Sequence, residues 1–241
     1  MALIRNHSDS RGRVFPLVLC LALAVCAPLA AQTAYLSGSP SNGIALLPPP
    51  PPPGSVEEAM DLNTVRTVFN GRTPDDEKSA FRTSSLSFAL FAPAIGPAFD
   101  LSKLPKTEAL LQKVKREMST AIDVPKDYFR RKRPYQLDEH LVLRNPEPSF
   151  GYPSGHSTRG TTYALLLAEL FPEKREAVLA IGRQIGWDRI IIAKHFPTDV
   201  YAGRVLGQQI FHEFMASLLF QQDLSAAKEE IAMAAKQGAA R

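Results

Sequence analysis

Three short stretches of this chain hold side chains that could handle an oxyanion. In Lys126-DYFRRK-Arg133-Pro134, a lysine and an arginine stand seven positions apart. On a helix that is two turns, so the two cations are expected to point the same way and converge on one anion. Taken alone, the stretch reads equally as a solvated basic face, since Arg130, Arg131 and Lys132 lie in it too. In Tyr152-Pro-Ser154-Gly155-His156, a loop runs into a long helical pattern. A Ser-Gly pair there offers free backbone N–H groups, the positive end of a helix dipole and a hydroxyl donor, and His156 is placed to give a proton. An ordinary N-cap serine beside an incidental histidine is the plain alternative. In Arg189-IIIAK-His195-FPT-Asp199, Pro197 opens a helix between a histidine and a carboxylate four residues apart. A carboxylate on Nδ1–H fixes the imidazole tautomer and frees Nε2 to attack, while Arg189 adds a bidentate oxyanion donor. A structural His–Asp cap would look the same.

The elements that must position these residues are helical throughout. Ser55-Val-Glu-Glu58 and Thr73-Pro-Asp-Asp76 read as helix starts. Ser84 to Phe91 is a short apolar segment closed by Pro93 and Gly96. Thr107 is expected to cap a helix carrying Leu110, Leu111, Val114 and Met118 on one face, and a separate short helix is expected from Pro125 to Lys132, stopping at Pro134. Helical periodicity then covers Ser154–Leu170, Pro172–Ile192, Pro197–Phe220 and Asp223–Lys236. No hairpin signal or alternating strand survives, and no internal repeat, so the pattern predicts an all-α domain over 55–241.

Ahead of it stand two other segments. Arg5, Arg11 and Arg13 precede an uncharged apolar run from Val14 to Ala31, which reads as a cleaved secretory signal over 1–31 and implies a periplasmic mature protein. Residues 32–54 form an extended lead-in ending in six consecutive prolines, a polyproline II strut. Cys20 and Cys26 both lie in the leader, so the remaining chain has neither a disulfide framework nor a cysteine metal site. A formal charge of +4, with Lys+Arg 28 against Asp+Glu 24 and no basic block, argues against a nucleic-acid partner. No second apolar span of membrane length follows the leader, so no membrane association is expected after cleavage. No tight Asp/His or Cys set suggests a metal or other cofactor.

In this order, K-x6-R-P, P-S-G-H and R-x5-H-x3-D resemble the signature of the type 2 phosphatidic-acid-phosphatase superfamily, which includes vanadium haloperoxidases. With LLPPPPPPG and HFPTDVYAGRVLG, the likeness is to the bacterial class A non-specific acid phosphatases and covers most of the mature chain. The resemblance implies a single helical domain of the acid phosphatase/vanadium-haloperoxidase type and a metal-independent, two-step hydrolysis of phosphomonoesters. Lys126, Arg133, Arg189, Ser154 and Gly155 would hold the phosphoryl group; His195 would attack, Asp199 would hold its ring, and His156 would protonate the leaving alcohol. It also implies a homo-oligomer and a phosphotransferase side activity. A haloperoxidase, a lipid-phosphate or pyrophosphate phosphatase and a secreted phosphate-binding protein are the competing readings. Two departures stand out. Relatives often carry a disulfide in the loop before PSGH, which Gln136 to Phe150 lacks, and Asp188 stands where the family usually has serine. Asp188 is expected to pair with Arg189 or a neighbouring base, or, if it faces the site, to keep His156 protonated to higher pH. His140 and His212 match no motif.

Overall fold

The computed structural model describes residues 34–36, 42–141 and 145–239. The segment read as a secretory leader, 1–31, falls outside the described residues. Within them no strand occurs, and the all-α reading holds. The lead-in is not wholly extended, because α1 (Asn42–Leu46) forms just before the proline strut.

Helix starts follow their caps. The Ser55 side chain accepts from Glu58 N at the head of α2 (Val56–Gly71), and Thr73 forms a reciprocal capping box with Asp76 on α3 (Pro74–Arg82). The short segment after α3 makes a 3-10 turn and a single turn of helix, α4 (Ala92–Ile95), closed by Gly96 at φ 85°.

The next helix differs from the sequence expectation. α5 runs unbroken from Pro105 to Phe129, with Pro125 inside it and Thr107 in its first turn. Thr107 is bound from outside: Glu230 accepts its backbone N–H at 2.9 Å and its hydroxyl at 2.8 Å. A proline in the last turns of a long helix loses one ladder bond without ending it when its ring is packed, and Pro125 is buried. Arg130, left-handed at φ 50°, then stops the helix. Arg133 therefore lies beyond α5 in an extended conformation, and the two-turn helical argument for pairing it with Lys126 does not apply.

The remaining helices are α6 (Gly155–Leu170), α7 (Arg175–Ile191), α8 (Pro197–Ala216) and α9 (Leu218–Ala239). The apolar pattern that runs through Phe220 is broken at Ser217, where the backbone turns extended. α6 is the central rod; apolar and small residues are buried around most of its surface. It packs against α7 and α8 at a distance only glycine permits. A Cβ on Gly182 would lie 2.8 Å from Gly160 O, and one on Gly203 would lie 2.6 Å from Ser154 O. The main core collects Leu110, Leu111, Val114, Met118 and Ile122 of α5 with Tyr163, Leu166 and Leu167 of α6 and Ile210 and Phe214 of α8. The chain ahead of α1 is tied to this core through Tyr35, whose N–H donates to Glu117 at 2.8 Å and whose ring meets Phe214 and Phe220 edge-on.

Since the close approach at Gly203 is to backbone at the head of α6, it cannot be relieved by a rotamer change. Gly203→Ala should cost about 2 kcal/mol, a fall in Tm of roughly 4–8 °C by thermal unfolding. An unchanged Tm would show that α8 can slide away from α6 freely.

Candidate active site

All the residues singled out by type and spacing meet at the end of the helix bundle where α6 and α8 begin. Lys126 closes α5, and its Nζ donates to Phe150 O at 2.8 Å. Arg133 reaches the same carbonyl through Nη2 at 3.2 Å. The chain doubling back at Arg130, not a shared helical face, brings the two cations together. Arg133 is held at every nitrogen: Nε donates to Ser149 O at 2.8 Å, and Nη1 to Lys194 O at 2.9 Å. Nη1 also stands 3.1 Å from His195 Nε2.

His195 sits in the tight connection between α7 and α8, where Ala193 takes a left-handed conformation at φ 52°. The Arg189 carbonyl accepts from Lys194 N at 2.8 Å and His195 N at 3.2 Å, which folds the connection back onto α7. Asp199 is the third residue of α8. Its Oδ2 accepts from Phe196 N at 2.9 Å and lies 3.4 Å from His195 Nδ1. A guanidinium can only donate, so Nε2 facing Arg133 carries the lone pair and Nδ1 carries the hydrogen toward Asp199.

Ser154 N–H donates to Asp199 O at 2.9 Å, which locks the head of α6 against the head of α8. The Ser154 hydroxyl caps α6 by accepting from Ser157 N at 3.4 Å, using a lone pair and not its hydrogen. A Cβ at Gly155 would meet Arg159 Nη1 and Ile122 Cγ2, both at 3.3 Å, with Lys126 Cε at 3.7 Å, so the glycine keeps the helix head open beside the lysine. Arg189 and His156 share Ser84: Arg189 Nη1 donates to its hydroxyl at 3.0 Å, and His156 Nε2 stands 3.1 Å from its carbonyl.

The cations shape the titration of their neighbours. Burial and the Arg133 charge bring Lys126 down to about 8. Burial and Arg189 bring His156 down to about 4. Burial, then Arg133 and Lys126, hold His195 well below the usual imidazole range. Burial pushes the Asp199 carboxyl up, and Arg131 opposes it.

Several further residues take roles around the site that were not evident in the sequence. Asp188 is fully buried and does not face the cradle. It accepts from Thr83 Oγ1 at 2.7 Å and from Gln184 Nε2 at 2.7 Å, while Thr83 Oγ1 accepts from Arg189 Nη2 at 2.6 Å. It thus supports Arg189 through Thr83 and touches neither histidine. Arg131 is no part of a solvated basic face; it is buried and bonds Asp199 and Asp61. Asp61 did leave a trace, since Asp61, Val65 and Phe69 recur at steps of four on the buried face of α2. Glu147 accepts from Arg133 Nη2 at 2.8 Å and Lys194 Nζ at 2.9 Å. Burial opposes its ionisation, but Arg133, Lys194 and His195 prevail and hold it at about 2. Among the described residues no group of three His, Cys, Asp or Glu side chains is placed to share a metal ion, and no helix is long and apolar enough to cross a membrane.

Residues 117–222 match the PAP2 superfamily. The chain is similar to the non-specific acid phosphatase of Salmonella typhimurium, 30% identical over 148 residues, which spans 59% of this chain and 59% of that protein. It is 28% identical over 216 residues to the non-specific acid phosphatase of Providencia stuartii, spanning 82% of this chain and 84% of that one. In fold it resembles a transmembrane PAP2-type phosphatidylglycerolphosphate phosphatase from Bacillus subtilis, with a TM-score of 0.52 at 19% identity over 72% of this chain and 89% of that one.

Because Glu147 already occupies Arg133, an incoming oxyanion must displace it or accept its repulsion. Glu147→Gln should tighten inorganic phosphate by about tenfold in calorimetric titration. Unchanged or weakened affinity would mean that the carboxylate moves aside without cost.

Proposed function

We propose that this protein is a periplasmic acid phosphatase that hydrolyses a broad range of phosphomonoesters through a phosphohistidine, without a metal. The observation that carries this reading is the state of His195: Nε2 unprotonated against Arg133 at 3.1 Å, with Nδ1 turned toward Asp199. That is an imidazole prepared as a nucleophile inside a cationic cradle. Similarity to acid phosphatases along most of the chain supports the same chemistry.

In this reading the phosphoryl oxygens lie among Lys126, Arg133, Arg189, the Ser154 hydroxyl and the N–H groups at Gly155. His195 Nε2 attacks phosphorus, the N–P bond forms, and the bond to the leaving oxygen breaks. His156 gives that oxygen a proton. Water then attacks phosphorus as His156 takes a proton from it, the N–P bond breaks, and that proton leaves with the phosphate monoanion, which restores both histidines. Ser84 O can only accept, so His156 Nε2 bears a fixed hydrogen and the transferable proton belongs to Nδ1. In the free site His156 is neutral above about pH 4, so the proton enters with the substrate. A phosphomonoester monoanion, whose second pKa is about 6, supplies it.

Rapid quenching with labelled substrate in the presence of chelator tests the reading. The wild-type chain should trap acid-labile phosphohistidine, and His195→Ala should trap none. His156→Ala should still be labelled by nitrophenyl phosphate but should lose about 10²–10⁴-fold with alkyl phosphates, which need the acid. Label on the His195 variant, or activity that returns only with a divalent metal, would sink it.

The pH dependence follows from the same groups. His195 is depressed below its ordinary value, so it stays neutral well into acid and the acidic limb lies far below pH 6.5. The proton needed by His156 disappears as the substrate loses its own, so kcat/KM should fall about tenfold per pH unit above roughly pH 6. A plateau extending above neutrality in a pH–rate profile would contradict this proton path.

A further inference from the structure

Arg131 is 6% exposed, and its guanidinium is divided between two carboxylates. Nη1 donates to Asp199 Oδ1 at 2.7 Å and to Thr198 Oγ1 at 2.6 Å, and Nη2 donates to Asp61 Oδ2 at 2.8 Å. Its face lies 4.1 Å over the Phe196 ring. Asp61, on α2, is also 6% exposed. It accepts the Thr198 hydroxyl through Oδ2 and the Thr198 N–H through Oδ1 at 3.4 Å. The two oxygens of Asp199 therefore have separate partners: Oδ1 is taken by Arg131, and Oδ2 by Phe196 N–H and His195. A carboxylate gripped on both oxygens cannot rotate about its terminal bond, so the direction in which Oδ2 meets the imidazole is fixed. A guanidinium presents its donors in one rigid plane, and a second carboxylate on the far edge sets that plane.

We propose that Asp61 and Arg131 are positioning residues for the His195–Asp199 pair, with Arg131 clamping the Asp199 carboxylate and Asp61 clamping Arg131. The role for turnover rests on the phosphatase reading above. It carries the working site past the matched segment 117–222 onto α2. Neither residue touches the phosphoryl cradle, so their loss should slow chemistry and spare substrate binding.

The test uses Asp61→Asn, which keeps the shape and removes the charge, and Arg131→Gln, both in the full chain. In each, kcat for a chromogenic phosphomonoester should fall about 10–100-fold, the range seen when an outer partner of an oriented histidine is removed, with KM within threefold of wild type. The His195 Nδ1–H proton, observed by NMR of ¹⁵N-histidine-labelled protein, should move upfield and exchange faster with water. If Asp61 acts through Arg131, the double variant should be no slower than Arg131→Gln alone. Should Arg131→Gln fail to fold, Asp61→Asn decides alone. An unchanged Nδ1–H resonance, an unchanged kcat, or a loss confined to KM would overturn the proposal. If the wild-type protein hydrolyses no phosphomonoester, the phosphatase reading falls, and the resonance alone decides whether the clamp exists.

Discussion

Lys126, Arg131, Arg133 and Arg189 are each at most 6% exposed, and they gather around one small volume. Water cannot screen such a cluster, and an unpaired buried cation costs several kcal/mol. Much of the surrounding architecture follows from this need for compensation. Asp61 and Asp199 divide Arg131, Glu147 and three main-chain carbonyls take Arg133, and Phe150 O takes Lys126. Arg189 is turned onto Ala80 O, Thr83 and Ser84. The partners come from α2, the α3–α4 connection and the loop before α6. Segments distant in sequence are thus bound to the heads of α6 and α8 by charge as well as by apolar packing.

The same crowding sets the protonation of the two histidines. Burial first, and then the neighbouring cations, disfavours the imidazolium of both, so both favour the neutral form in the free site. On the phosphohistidine reading proposed above, the neutral form is the reactive one for His195, while His156 needs a proton that a monoanionic phosphomonoester would bring. On that reading a neutral molecule of similar shape would leave His156 unprotonated, so the ligand's own charge and proton would matter to chemistry as well as to binding.

The bundle and the cradle were legible in the sequence to different depths. Helical periodicity and the Ser55 and Thr73 caps located most helices, because local hydrogen bonds and apolar spacing decide them. Pro125 misled, because a packed proline near a helix end is tolerated when tertiary contacts supply more than the lost bond provides. Lys126, Arg133, Ser154, Gly155, His156, Arg189, His195 and Asp199 stood out through spacing, since short stretches carry most of them. Arg131 was hidden by its neighbours: four basic residues in a row look solvated, and only the left-handed turn at Arg130 sends one of them inward. Glu147 and Asp61 pair with groups 14 and 70 residues away in sequence, and no local rule encodes such contacts. Asp188 illustrates the limit best. Its position beside Arg189 suggested a direct role at the site, yet the helix directs it to Thr83 and Gln184.

That last placement alters what the aspartate means for the cradle. Thr83 has one hydroxyl hydrogen. With Asp188 Oδ2 at 2.7 Å and Ala80 O at 2.9 Å, the carboxylate is the stronger claimant. Donating there turns the lone pairs of Thr83 toward Arg189 Nη2, and Gln184 holds the other carboxylate oxygen in place. A negative charge buried behind Arg189 stabilises the guanidinium and partly offsets the burial that lowers its pKa, which still comes down to about 10. A serine at that position would offer a hydroxyl in place of the charge, and the arginine would rely more heavily on the bound phosphoryl group for its counter-charge. Asp188 thus bears on how the cradle fares while empty. Glu147 acts on the same problem from the more exposed side, paired with Arg133 and Lys194. One counter-charge buried behind Arg189 and one beside Arg133 let a strongly cationic pocket persist in a folded protein.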